Sequence, residues 1–115
     1  MPYYHVLIET NEPSEKYYEL DKTDLSEIKE RIVVPYLKRE RFFFAECSLD
    51  GSKVKGIFIR ESSYTSGQCI LLEWEKSSPE LRECIDPEKV VWKDPYTTDI
   101  TEELLEECRS LLQEA

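Results

Sequence analysis

Lys38, Arg39, Arg41, Lys53, Lys55 and Arg60 form the one concentration of cations in an otherwise acidic chain. Side chains of this kind, held on neighbouring strands, can converge on a phosphate or carboxylate: lysine supplies a compact point charge and arginine two parallel N–H donors. Arg41 and Lys55 are the strongest candidates for such a site. Lys38, Arg39 and Lys53 add charge beside them. The plainer reading of the same residues is strand-edge protection, because a lysine on an exposed edge discourages pairing with another chain.

Other reactive constellations are thin. A nucleophile needs a base within hydrogen-bond reach, and His5 is the single histidine. Lying between Tyr3 and Leu7 in a strand-like run, it reads as a packed or surface residue rather than a catalyst. Cys47, Cys69, Cys84 and Cys108 include no close-spaced pair, whereas a structural zinc site takes two tetrahedral corners from each such pair. They read as small buried hydrophobes, reduced in a cytosolic setting. Glu102, Glu103, Glu106 and Glu107 read as a solvated helix flank. Neither GxxxxGK[ST] nor GxGxxG occurs, which excludes nucleotide folds of those types. No metal or cofactor is expected.

The elements that must position the cations belong to a chain of 115 residues and 13.6 kDa, 40% hydrophobic and 35% charged, enough for one core and one domain, residues 1–115. The net charge of −10 is unevenly distributed: 7 acids and 2 bases in residues 1–28, 4 acids and 8 bases in 29–60, 14 acids and 5 bases in 61–115. That balance disfavours bulk binding to nucleic acid or an anionic membrane, both of which rely on a positive field. No stretch approaches the ~18 apolar residues of a membrane span, and MPYYHVLIE has neither a basic leader nor a small-residue cleavage site. The expected location is the cytoplasm.

Alternation of apolar residues predicts a strand over Tyr3–Thr10, a turn at residues 11–14 and a returning strand over 16–20. Asp24 followed by Glu27 forms a capping box, and Leu25, Ile28, Ile32 and Tyr36 recur at helical spacing, so a helix starts near Asp24 and ends or kinks at Pro35. RFFFAECS (41–48) and KVKGIFIR (53–60) read as two strands of a second hairpin about Asp50-Gly51. Because Phe42, Phe43 and Phe44 cannot all share one side, this hairpin is expected to be covered on both faces. Gly56 marks a bulge or close approach. After a polar, flexible 62–67 stretch come a short helix over 67–76, a helical turn from Ser78-Pro79 to Cys84 with Ser78 as its cap, and a strand over 89–93. Asp99 and Glu102 open the last helix, with Ile100, Leu104, Cys108 and Leu111 on its apolar stripe. The fold class is therefore α+β: two hairpins, a central helix, a further strand and a C-terminal helix.

The order YYHVLIE, ELDKTDLSEIKERIVVPYLKRERFFF and KVKGIFIRES, with DIT opening the last helix, resembles the N-terminal module of bacterial antiviral-defence proteins, where it precedes a TIR-like or other effector domain. The resemblance covers chiefly residues 3–60. It implies a sensing or regulatory part with no catalytic residues of its own. With the sequence ending at Ala115, it implies either a separate partner of an effector or a module cut from a longer protein.

Three functions follow as expectations. The favoured one is a non-enzymatic recognition or regulatory module, acting through protein contacts or through a small anionic ligand at Lys38, Arg39, Arg41, Lys53 and Lys55. The alternative is a phage-type acidic inhibitor whose helix over residues 99–114 mimics a phosphate backbone. The third, a small enzyme using His5, is the least supported.

Overall fold

The protein is described by a computed structural model covering residues 2–11, 14–92 and 95–114. Strand β1 (Tyr3–Thr10) runs through the middle of an antiparallel sheet of order β2-β1-β5-β6, between β2 (Lys16–Lys22) and β5 (Val54–Ser62), with the short β6 (Thr98–Asp99) on the far side of β5. Of the expected 11–14 turn, Glu12 and Pro13 lie outside the described residues, and the Thr10 N–H donates to the Glu15 carbonyl at 2.9 Å to close the hairpin.

One face of β1 presents Tyr4, Val6 and Ile8, and cross-strand Ile57 and Ile59 continue that surface on β5. Over it lie Ile28, Ile32 and Val33 of helix α1 (residues 25–37), Phe42, Phe44 and Leu49 of a second, two-stranded sheet, and Leu104, Leu105 and Cys108 of the C-terminal helix α5 (Thr101–Glu114). Each such buried side chain contributes about 1.5–3 kcal/mol. The opposite face of β1 carries His5 and Leu7, also buried. Cys69 of helix α2 (Ser66–Lys76), Val90 of α4 (Pro87–Val91) and Tyr96 form a separate small cluster with Leu72 and Ile85. The Tyr18 ring, opposite Leu7, meets Trp92 at a centroid distance of 6.3 Å.

Helix α1 starts as expected, with the Asp24 carboxylate accepting the Glu27 N–H at 3.2 Å. It does not end at Pro35. Residues Lys29–Val33 form a π-turn in which the Val34 N–H reaches back to the Lys29 carbonyl, and Val34–Leu37 then continues as α-helix. A proline lacks the N–H and crowds the carbonyl four residues back; a wider turn just upstream removes that conflict.

The second hairpin differs from expectation. Strand β3 (Arg41–Phe44) pairs with β4 (Cys47–Asp50), in register Arg41↔Asp50 to Phe44↔Cys47, whereas β5 joins the main sheet. The two-residue turn is Ala45-Glu46, both left-handed at φ 51° and 63°. Such a turn matches strand twist but costs a non-glycine residue about 1–2 kcal/mol. Asp50-Gly51 opens a 3₁₀ turn (Gly51–Lys53) between the sheets, where the Asp50 carboxylate accepts the Ser52 N–H at 3.0 Å. Glycine is needed there for close approach: a Cβ on Gly51 would lie 2.4 Å from the Glu40 carbonyl oxygen. The hairpin is covered on one face only, for Phe42 and Phe44 are buried while Phe43 is 66% exposed.

The bulge at Gly56 is present. Between Glu9↔Gly56 and Thr10↔Val54 the extra residue is Lys55. Helix α2 starts at Ser66 behind a capping box of Thr65 and Gln68, close to the expected 67–76. Helix α3 (Pro79–Arg82) follows Ser78-Pro79, but Ser78 makes no side-chain cap bond and the helix stops before Cys84.

The expected strand over 89–93 is absent among the described residues: Lys89 to Val91 belong to α4, and Lys93 lies outside the described residues. Pro87 opens a helical turn whose Lys89 and Val90 N–H groups reach the Asp86 carbonyl, and this local geometry overrides the β-branched pair. In α5 the apolar stripe is fully buried only as far as Cys108: Leu111 is 55% exposed and Leu112 half-buried. Asp99 Oδ1 accepts the Thr101 N–H at 2.9 Å at its start. The cysteines divide: Cys69 and Cys108 are buried hydrophobes, but Cys47 and Cys84 are exposed, and all four are free thiols.

Candidate anion-binding site

Helix α1 ends in a Schellman motif. The Arg39 N–H donates to the Tyr36 carbonyl at 3.1 Å and the Glu40 N–H to the Pro35 carbonyl at 2.9 Å. This places Arg39 at the left-handed position, φ 58°, where glycine is usual. Lys55 is carried by the β5 bulge, a device that re-aims a side chain. Helix α5 brings in Arg109. Arg39, Lys55 and Arg109 line one groove of about 490 Å³ together with Tyr36, Gly51 and Ser52.

Arg109 Nη1 contacts Glu106 at 2.9 Å. Arg39 and Lys55 have no ion-pair partner among the described residues, and both are exposed. The other expected cations do not line this groove. Lys38 lies 3.8 Å from Glu40. Arg41 donates to Ser48 Oγ at 3.3 Å and lies 4.0 Å from Asp50. Lys53 is exposed on the 3₁₀ turn beside Asp50, whose carboxyl is held below its ordinary range by the Ser52 hydroxyl and N–H, with Arg41 and Lys53 adding to the effect. Arg60 is structural: its Nε donates to Thr97 Oγ1 at 2.6 Å and Nη2 to the Thr97 carbonyl at 2.8 Å, tying the segment that leads into β6 to β5.

Sequence reasoning missed Arg109, because only the packing of α5 against α1 brings a residue so distant in the chain to the groove. Residue spacing also favours Arg41 over Arg39, since a hairpin about Asp50-Gly51 would set Arg41 opposite the β5 cations, whereas Arg41 pairs with Asp50 on β4. The acids expected to form a contact surface on α5 are partly engaged within the fold, with Glu107 bound to Lys29 at 2.7 Å and Glu106 to Arg109.

His5 is buried on β1. Its Nδ1 accepts the Asp21 N–H at 3.1 Å, and Nε2 has no hydrogen-bond partner among the described residues. Burial pushes its pKa down, against the opposing influence of the Asp21 carboxylate and the Tyr64 backbone. Ser66 Oγ donates to Asp21 Oδ2 at 2.8 Å, so serine and histidine each meet Asp21 rather than one another. Among the described residues no group of three or more His, Cys, Asp or Glu side chains is placed to hold a metal ion. No described helix is long and apolar enough to cross a membrane. No family model, curated protein or solved structure matches the chain.

Proposed function

We propose that the chain is a non-enzymatic recognition or regulatory module that binds a small phosphate- or carboxylate-bearing ligand in the groove lined by Arg39, Lys55 and Arg109. The observation that carries this reading is that Arg39 and Lys55, both without an ion-pair partner among the described residues, share a groove on a chain of net charge −10. In an acidic protein the long-range field opposes anion capture, so a site depends on cations held close together on rigid elements. The helix cap, the strand bulge and α5 are such elements. The sequence resemblance to sensing modules of bacterial antiviral-defence proteins agrees with this role, with an effector as the natural protein partner.

Arg39 offers a direct test because its left-handed backbone favours glycine. Arg39→Gly should raise stability by about 1 kcal/mol while abolishing binding of the phosphate compounds that the unaltered chain selects from a panel of inorganic pyrophosphate and nucleoside mono- and diphosphates. A ligand at one hundred times its dissociation constant should stabilise the unaltered chain by about 2.7 kcal/mol. Lys55→Glu should lose that shift as well. No shift with any member of the panel, or a shift unchanged in both variants, would overturn the reading.

A further inference from the structure

At the turn end of the β3–β4 hairpin, away from the cationic groove and sharing no residue with it, β2, α1 and the Ala45-Glu46 turn border a second, shallow and open groove of about 750 Å³. Its base is polar and internally satisfied. Glu19, mostly buried, accepts from Arg31 Nη2 at 2.7 Å and from the Ala45 N–H at 2.7 Å, and Lys22 Nζ lies 3.3 Å away. Arg31 also reaches Glu27 at 3.1 Å and donates to the Phe43 carbonyl at 2.9 Å. These bonds hold a backbone that carries two left-handed non-glycine residues, Ala45 and Glu46.

What that rigid turn presents outward is left over. Phe43 is 66% exposed and Leu20 38% exposed. Glu46 has no ion-pair partner among the described residues, whereas both cations of the groove, Lys22 and Arg31, are engaged by Glu19 and Glu27. An exposed aromatic on a pre-ordered backbone is the kind of residue that anchors an interface, because little conformational entropy is lost when it is covered. A free carboxylate beside it selects the sign of the partner's charge. An anionic membrane or nucleic acid would meet Glu46 and the chain's net charge of −10 with repulsion.

We infer that this groove docks a protein segment that carries an apolar side chain flanked by lysine or arginine. The apolar side chain covers Phe43 and Leu20, and a flanking cation pairs with Glu46. Docking here is independent of anion capture at Arg39 and Lys55.

The test uses the full chain and two fluorescent probe peptides of identical length, one with a central Leu-Phe pair flanked by arginines and one with the same pair flanked by glutamates. Anisotropy titration should show binding of the arginine peptide, weakening as salt rises, and none of the glutamate peptide. Phe43→Ala should weaken binding about tenfold or more. Glu46→Gln should weaken it less and flatten the salt dependence. Arg39→Gly should leave it unchanged. The inference is overturned if both peptides bind equally, if neither binds, if Phe43→Ala binds as the unaltered chain does, or if sedimentation shows that a second copy of this chain covers Phe43.

Discussion

The Asp21 backbone N–H points at Nδ1 of His5 from 3.1 Å, and the carboxylate of the same residue stands 3.7 Å from that nitrogen while capping α2 through the Ser66 N–H at 2.6 Å. Asp21 can occupy this place because it sits in a bulge opposite His5 with a left-handed backbone, φ 59°. A neutral histidine accepts the N–H; a protonated one would set two donors against each other.

The sign of the pH dependence follows. Burial lowers the folded-state pKa of His5 below its ordinary 6.5, so the unfolded chain binds the proton more readily. The His5 contribution to stability is therefore fully present above about pH 6.5 and declines as pH falls from there through the folded-state value. Denaturant midpoints measured from about pH 7.5 down to 5 should show this decline. His5→Asn, which keeps an acceptor for the Asp21 N–H and cannot take up the proton, should flatten it. A decline of equal size in His5→Asn would assign the effect elsewhere.

Glu19 joins three elements, accepting from Arg31 on α1, from the Ala45 N–H in the hairpin turn and from its own strand neighbour Lys22. Burial by itself would raise its carboxyl pKa, but the Arg31 and Ala45 hydrogen bonds and the Arg31 charge outweigh it and hold the group below the ordinary carboxylate value. Its contribution is present above about pH 4.5 and is lost as pH falls through the folded-state value, a window separate from that of His5. Glu19→Ala leaves Arg31 and the Ala45 N–H short of a partner and should cost about 2–3 kcal/mol in urea unfolding at neutral pH. Glu19→Gln, which still accepts from Ala45, should cost less.

The hairpin turn is where sequence and structure part, and the reason is local chemistry. Asp50-Gly51 carries the strong turn signal, and Ala45-Glu46 carries none, yet the chain reverses at Ala45-Glu46 because this register buries Phe42, Phe44 and Leu49 together. Tertiary burial outweighs turn preference there. By contrast β1, β2, the Asp24 cap and the buried part of α5 were legible, because period and capping residues agree with the packing that follows. The cationic groove was half legible. Arg39 and Lys55 stood out as cations, but the helix cap and the packing of α5, which set Arg39 and Arg109 beside Lys55, have no signature in residue spacing.

The same turn should be improvable. Replacing Ala45 by Asn and Glu46 by Gly supplies the pair that left-handed two-residue turns favour, and should stabilise the chain by about 1–2 kcal/mol, since both native residues pay for φ values near 50–60°. Thermal melts of the double variant should show the gain. A loss would mean that the native turn is not strained as its dihedrals indicate.

Two glycines separate close approach from open space. At Gly51 a Cβ would meet the Glu40 carbonyl oxygen at 2.4 Å and the Arg39 carbonyl carbon at 3.1 Å, backbone atoms that cannot rotate away. Gly51→Ala should therefore push the 3₁₀ turn off the end of α1, cost about 2 kcal/mol or more, and weaken anion binding, because Gly51 lines the groove between Arg39 and Lys55. At Gly56 the nearest atoms to a Cβ are ring carbons of Phe58 at 3.5 Å, an ordinary contact with a half-exposed side chain. Gly56→Ala should be neutral or stabilising by up to about 1 kcal/mol, as the added methyl reduces the freedom of the unfolded chain. Paired urea titrations of the two variants decide the matter. If Gly51→Ala is as stable as the unaltered chain, the contact between the 3₁₀ turn and the end of α1 is not what holds the groove in shape.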